Sequence, residues 1–175
     1  MNNPIFLIGY MGCGKTTLGR ALGSAMNLEF IDLDFYITQR FRKSVNEIFA
    51  EKGEAEFRRI EREMLREVGE FSDVIVACGG GTPCHFDNMD YMNSRGLTLW
   101  LQASRERLIE RLVLGAHKRP LIAGKSREEI GAHLDKTLAA RTPDYSKAKM
   151  TVDSSRLETR SQISETVAEL LPLFQ

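Results

Sequence analysis

Residues 9–16 read GYMGCGKT and match the phosphate-loop pattern G-x-x-x-x-G-K-[ST] at every fixed position. Each fixed residue type has a job there. Glycines let successive backbone N–H groups of Gly12, Cys13 and Gly14 turn toward phosphate oxygens, and a helix N-terminus adds partial positive charge. Lys15 supplies a mobile cation for the β and γ phosphates, and the Thr16 hydroxyl, with Thr17 beside it, can ligate Mg²⁺. A second group is the acid pair in IDLD, residues 31–34. Read as the end of a strand, alternation points Asp32 and Asp34 the same way. One carboxylate there can hold the Mg²⁺ shell while the other accepts a hydrogen bond from an attacking hydroxyl. A third is CGGGTP, residues 78–83, where Gly79, Gly80 and Gly81 offer backbone N–H groups with no Cβ to hinder close approach. One tight turn needing positive φ would explain one of these glycines and leave two unexplained.

Basic residues fall at useful places. Arg58 borders the apolar stripe of a helix, although its surroundings (Arg59, Arg62, Arg66 and several Glu) also suit an exposed charged face. Arg141 stands where a helix ends before a Pro-containing turn. Both are guanidinium forks that could grip a carboxylate bidentately. The segment LGAHKRPLIAGK, residues 114–125, has two glycines, a proline, several basic residues and no acid. It reads as a mobile lid over about 113–125, whose Arg119 would reach the transferring phosphoryl group on closure and whose closure would exclude water. Arg111 and the stretch around Ser155 and Arg156 are candidates for the base end of the nucleotide.

These groups need elements to hold them. Apolar, β-rich runs occur at 4–9, 28–34, 73–78, 97–101 and 149–153. Between them lie helical patterns: one from Thr16 with Leu18, Leu22 and Met26 on a face, one from Gly53 to Glu70, and others near 86–95 and 104–113. Another carries Ile130, Leu134 and Leu138, and a last one stops near Pro172. Strands separated by helices imply a central five-stranded parallel sheet with helices on both faces, a three-layer α/β/α fold of the phosphate-loop nucleotide kinase type, in one domain over 1–175. Helices at about 34–62 would carry the acceptor.

Composition narrows the classes. The chain has 175 residues, 24 Lys plus Arg and 24 Asp plus Glu, for a formal charge of zero. That balance gives no reason to expect a nucleic-acid or membrane partner. No apolar run approaches the ~20 residues of a membrane helix, and the three cysteines lack metal spacing. A reduced, cytoplasmic monomer is the expectation. No N-K-x-D segment reads guanine, and the 73–78 strand ends in Cys78 rather than the Asp-Glu of a motor ATPase, which leaves small-molecule kinases.

Taken together, GYMGCGKTT, DLD, EFR at 56–58, CGGGTP, KRPL at 118–121 and RTPDY at 141–145 have the order and spacing of shikimate kinases, which the chain resembles over almost its whole length. The resemblance implies transfer of the γ-phosphoryl of ATP to the 3-hydroxyl of shikimate, with Mg²⁺ as cofactor. It implies Lys15, Asp34 and Arg119 as catalytic residues. Asp34 would meet the substrate hydroxyls, Asp32 with Thr16 would support Mg²⁺, and Arg58 and Arg141 would clamp the substrate carboxylate against the glycine turn. Gluconate kinase, or a silent ATP-binding regulatory module, would share the phosphate loop. The combination of CGGGTP with Arg141 separates the first, and the intact Lys15, Thr16, Asp32, Asp34 and Arg119 separate the second.

Overall fold

The structure is a computed structural model and describes residues 3–174, the side chain of Lys118 apart. Five strands, β1 (Ile5–Ile8), β2 (Glu29–Asp32), β3 (Val74–Ala77), β4 (Leu97–Gln102) and β5 (Met150–Asp153), form one sheet in the order β2-β3-β1-β4-β5. Every pairing is parallel. Side chains of β1 and β3 are buried along their whole length. Alternation sends Ile5 and Leu7 into one half of the core and Phe6 and Ile8 into the other, so the sheet has two apolar faces that both need cover.

Seven helices supply it: α1 (Lys15–Met26), α2 (Leu33–Phe41), α3 (Val45–Val68), α4 (Asn88–Arg95), α5 (Arg105–Leu114), α6 (Arg127–Tyr145) and α7 (Arg160–Leu170). Leu18 and Leu22 of α1, Leu112 of α5, Ile130 of α6 and Val167 of α7 fill one face. Leu33 and Ile37 of α2, Phe57 and Leu65 of α3, and Met89 of α4 fill the other. With β1 central and its neighbours β3 and β4 reached by separate crossovers, the loops after β1, β2 and β3 open side by side at the carboxyl ends of the strands. Ligands of such sheets collect there.

The expected alternation of five strands with helices is present. Three local readings are corrected. The 28–34 run is not strand to its end: Asp32 caps a new helix, its Oδ1 accepting from Phe35 N at 3.2 Å, so Asp34 lies in the first turn of α2. A capping acid followed by a helical stripe outweighed the β character of the apolar residues before it. The helix expected from Gly53 starts earlier, at Val45, where Ser44 and Glu47 form a capping box. Gly53, at φ 79°, is a kink inside it. Nor does Arg141 end a helix, since α6 runs on through Pro143 to Tyr145. The proline stands in the last turn, and the Thr142 hydroxyl takes the Leu138 carbonyl at 2.7 Å.

Candidate active site

The loop from β1 to α1 is shaped by glycine. Gly9, Gly12 and Gly14 all have positive φ. At Gly14 (φ 98°) the left-handed backbone disfavours any side chain, and a Cβ would also press on Leu157 Cδ1 at 2.5 Å. Lys15 opens α1 and folds back over the loop, its Nζ donating to the carbonyls of Gly9 at 2.7 Å and Tyr10 at 3.0 Å. Beside it is a cavity of about 390 Å³ lined by Gly12, Gly14, Lys15, Thr16, Thr17 and Arg119, and closed by Arg111, Leu157 and Glu158. A curled ammonium at a helix N-terminus within such a cavity is a receptor for polyphosphate.

The two acids flank this loop in different ways. Asp32 spends Oδ1 on the α2 cap, while Oδ2 lies 3.5 Å from the Thr16 hydroxyl. Asp34 opens onto the solvent cleft yet is crowded by protein on its other sides. That crowding, with the negative charges of Glu61 and Asp32, pushes its pKa up to about 6 against the pull of Lys15 and Arg58. Its charge therefore comes and goes near neutral pH.

Beyond Asp34 is the turn after β3. Thr82 N bonds Gly79 O at 3.0 Å, closing a tight turn with Gly80 and Gly81 at its corners. None of the three glycines has positive φ. They are needed for room. A Cβ on Gly79 would lie 3.3 Å from Asp34 Oδ1, one on Gly80 2.8 Å from Arg141 Nη1, and one on Gly81 2.7 Å from Arg58 Nη2. Arg58, mostly buried, pairs with Glu61 at 2.8 Å and rides over the rings of Phe57 and Phe49. Its Nε–H is buried with no partner among the described residues. Arg141 lies over the Tyr10 ring, 5.8 Å from its centre. Two guanidiniums, a carboxylate and a bare turn thus converge beside a phosphate receptor.

A family model described as shikimate kinase matches residues 11–172. The chain belongs to the shikimate kinase family. Curated shikimate kinases from Parabacteroides distasonis and Phocaeicola vulgatus are 48% and 51% identical to it, over 97% and 95% of this chain and 98% and 95% of theirs. Among solved structures, a shikimate kinase from Bacteroides thetaiotaomicron superposes with a TM-score of 0.95 at 45% identity, covering 98% of this chain and 97% of its own. A shikimate kinase from Acinetobacter baumannii in complex with shikimate superposes at 0.84 with 28% identity, covering 99% and 93%.

Within this shikimate kinase fold, Lys15, Thr16, Thr17 and Arg119 line one cavity with Asp32 3.5 Å from Thr16, while Asp34, Arg58 and Arg141 gather around Gly79, Gly80 and Gly81. The Cys13 amide is drawn inward, donating to Tyr10 O at 3.2 Å. Arg156 is not brought in: it is exposed and paired with Glu165 at 2.7 Å. Ser155 takes the Ser104 N–H at 3.1 Å. Arg111 is a tether, joining the Gly12 carbonyl at 3.3 Å, the Ser154 carbonyl at 2.9 Å and Glu158 at 2.7 Å.

Glu61 and Thr82 escaped sequence reasoning. Glu61 is 1% exposed and shares its carboxylate between Arg58 and the Thr82 hydroxyl, the latter at 2.5 Å. Its one signal was a spacing of three from Arg58 on the buried side of α3, hidden among other Glu/Arg pairs of that helix. No helix is long and apolar enough to cross a membrane, and no cluster of three or more His, Cys, Asp or Glu could hold a metal, among the described residues.

Proposed function

We propose that the chain phosphorylates the 3-hydroxyl of shikimate from ATP, giving shikimate 3-phosphate and ADP. One observation carries the acceptor side: Asp34, Arg141 and Arg58 each reach within 3.3 Å of where a methyl group on Gly79, Gly80 and Gly81 would stand. That row presents a carboxylate for hydroxyls and two forks for one carboxylate along a single turn, the spacing of a small cyclic hydroxy-acid. Arg58 is held by buried Glu61, which sets its guanidinium beside Gly81.

The donor side is the phosphate loop. Lys15, released from the Gly9 and Tyr10 carbonyls, swings onto the phosphates of ATP. The Thr16 hydroxyl and Asp32 Oδ2 are hard oxygen donors 3.5 Å apart at that loop, which fits Mg²⁺ held largely by phosphate and water. When bound, the ion neutralises charge on the β and γ phosphates. Asp34 accepts the hydrogen bond of the acceptor hydroxyl and takes its proton as the oxygen attacks the γ-phosphorus and the bond to the β-phosphate oxygen breaks. A carboxyl near pKa 6 is a stronger base than an ordinary one and is still ionised at pH 7.

Arg119 sits on the 114–125 segment and lines the nucleotide cavity, and it meets the charge spread over the transferring group. That segment is the lid and acts in the cytoplasm on a monomeric enzyme. Acceptor-dependent ADP release from ATP, coupled to a reporter and measured with shikimate, quinate and gluconate side by side, tests the reading. Turnover with shikimate far above the other two is expected; turnover confined to gluconate, or none, overturns it.

A further inference from the structure

The Gly79–Gly81 turn has a support that neither the phosphate loop nor the arginines supply. Tyr145, the last residue of α6, is fully buried and donates its hydroxyl to the Gly80 carbonyl at 2.5 Å across a sequence separation of 65. Its ring leans on Trp100 of β4, with centroids 5.7 Å apart. The Arg141 guanidinium, one helical turn earlier on α6, comes up on the same side of Gly80 as the Tyr145 hydroxyl.

The peptide between Gly80 and Gly81 is planar, and its C=O and N–H point in opposite directions. Anchoring the carbonyl to Tyr145 therefore aims the Gly81 N–H away from that hydroxyl, while Arg58 stands beside Gly81. Gly81 is a buried residue and its N–H finds no acceptor among the described residues, whereas the next amide, of Thr82, is spent on closing the turn. An N–H left open in such a place is a donor waiting for a ligand. Without the anchor the central peptide of such a turn can flip, because two glycines raise no steric objection to the alternative.

We propose that Tyr145 is a positioning residue that fixes the Gly80–Gly81 peptide so that the Gly81 N–H stays turned away from the phenol and open to the acceptor. It makes the turn and α6 one rigid receptor. Burial pushes the Tyr145 phenol far up, so it remains a donor throughout the working pH range. The inference rests on the acceptor reading given above.

Tyr145→Phe keeps the ring on Trp100 and removes one hydrogen bond. Steady-state kinetics should show the KM for shikimate raised roughly three- to tenfold, the size expected from one hydrogen bond. The KM for ATP should stay within about twofold, and Tm should move by no more than a few degrees. Tyr145→Leu, which also loses the ring, serves as the packing control and should lower Tm well below that of Tyr145→Phe. An unchanged shikimate KM in Tyr145→Phe overturns the inference. So does an equal rise in both KM values that tracks a loss of Tm, since that is the mark of a packing role. If the unsubstituted chain fails to phosphorylate shikimate at all, the acceptor reading falls instead, which keeps the two failures apart.

Discussion

Asp34 owes its behaviour to its neighbours. A carboxyl raised to about 6 by burial, Glu61 and Asp32 carries charge above that pH and loses it below. The kcat/KM for shikimate should therefore fall as pH drops through about 6, and a profile flat to pH 5 would count against Asp34 as the base. Asp34→Asn removes the proton acceptor while keeping size and shape. Turnover should fall by about two to four orders of magnitude, with nucleotide affinity measured by calorimetry nearly unchanged. The same substitution has a stability consequence. Because the folded-state pKa is raised above the unfolded value, the ionised side chain opposes folding most fully above pH 6, and the penalty fades as the group protonates toward pH 4. Asp34→Asn should thus melt higher than the unsubstituted chain at pH 7.5, with the gap narrowing near pH 4.5. A lower melting temperature at pH 7.5 would show that the carboxylate is better compensated than its neighbours imply.

At the scale of elements, two glycine turns do their work by different means. Gly14 needs a left-handed backbone, so Gly14→Ala strains the phosphate loop and should weaken ATP binding sharply. Gly81, at φ −88°, tolerates alanine conformationally. The added methyl collides with the Arg58 guanidinium instead, 2.7 Å away. Gly81→Ala should raise the shikimate KM by roughly tenfold or more, about the loss of one charged hydrogen bond, and leave the ATP KM within about twofold. Equal effects on both substrates would mean that the turn does not belong to the acceptor alone. Glu61 explains why Arg58 is stiff enough to be displaced so specifically. It grips Arg58 from one oxygen and Thr82 from the other, so helix α3 and the glycine turn move as one piece.

Across the whole molecule, the sheet order places the nucleotide loop after β1, the acids at the β2–α2 junction and the glycine turn after β3 at one edge, with the segment between α5 and α6 bringing Arg119 to the nucleotide cavity and α6 bringing Arg141 to the glycine turn. The 114–125 segment is not free along its length: Ile122 is wholly buried in the core beneath it, and Ile122 N bonds Arg119 O at 3.0 Å. The Arg119 end is thus held near the cavity between a buried anchor and Gly115. Arg119→Lys retains charge and loses the planar fork, so kcat should fall by about tenfold or more while both KM values change little. A kcat equal to that of the unsubstituted chain would remove Arg119 from the chemistry.

Much of this was legible in the chain alone. The order of strands and helices follows from apolar periodicity, and the phosphate loop from residue types that no other backbone shape requires together. Lys15, Thr16 and the acids beside them needed only short-range spacing. Reading Asp34 as a strand residue failed because the cap at Asp32 competes locally with the β character before it, and only the packed helix decides between them. Glu61 among its glutamates carries no local mark, and Arg58 and Tyr145 stand out only as members of the short strings EFR and RTPDY, which do not say what they touch. Their roles come from contacts over 21 and 65 residues of sequence, Glu61 with Thr82 and Tyr145 with Gly80. Periodicity reports which face of an element is buried, whereas which buried polar group meets which is set by the crossing of α3 and α6 over the sheet, and that exists only in three dimensions.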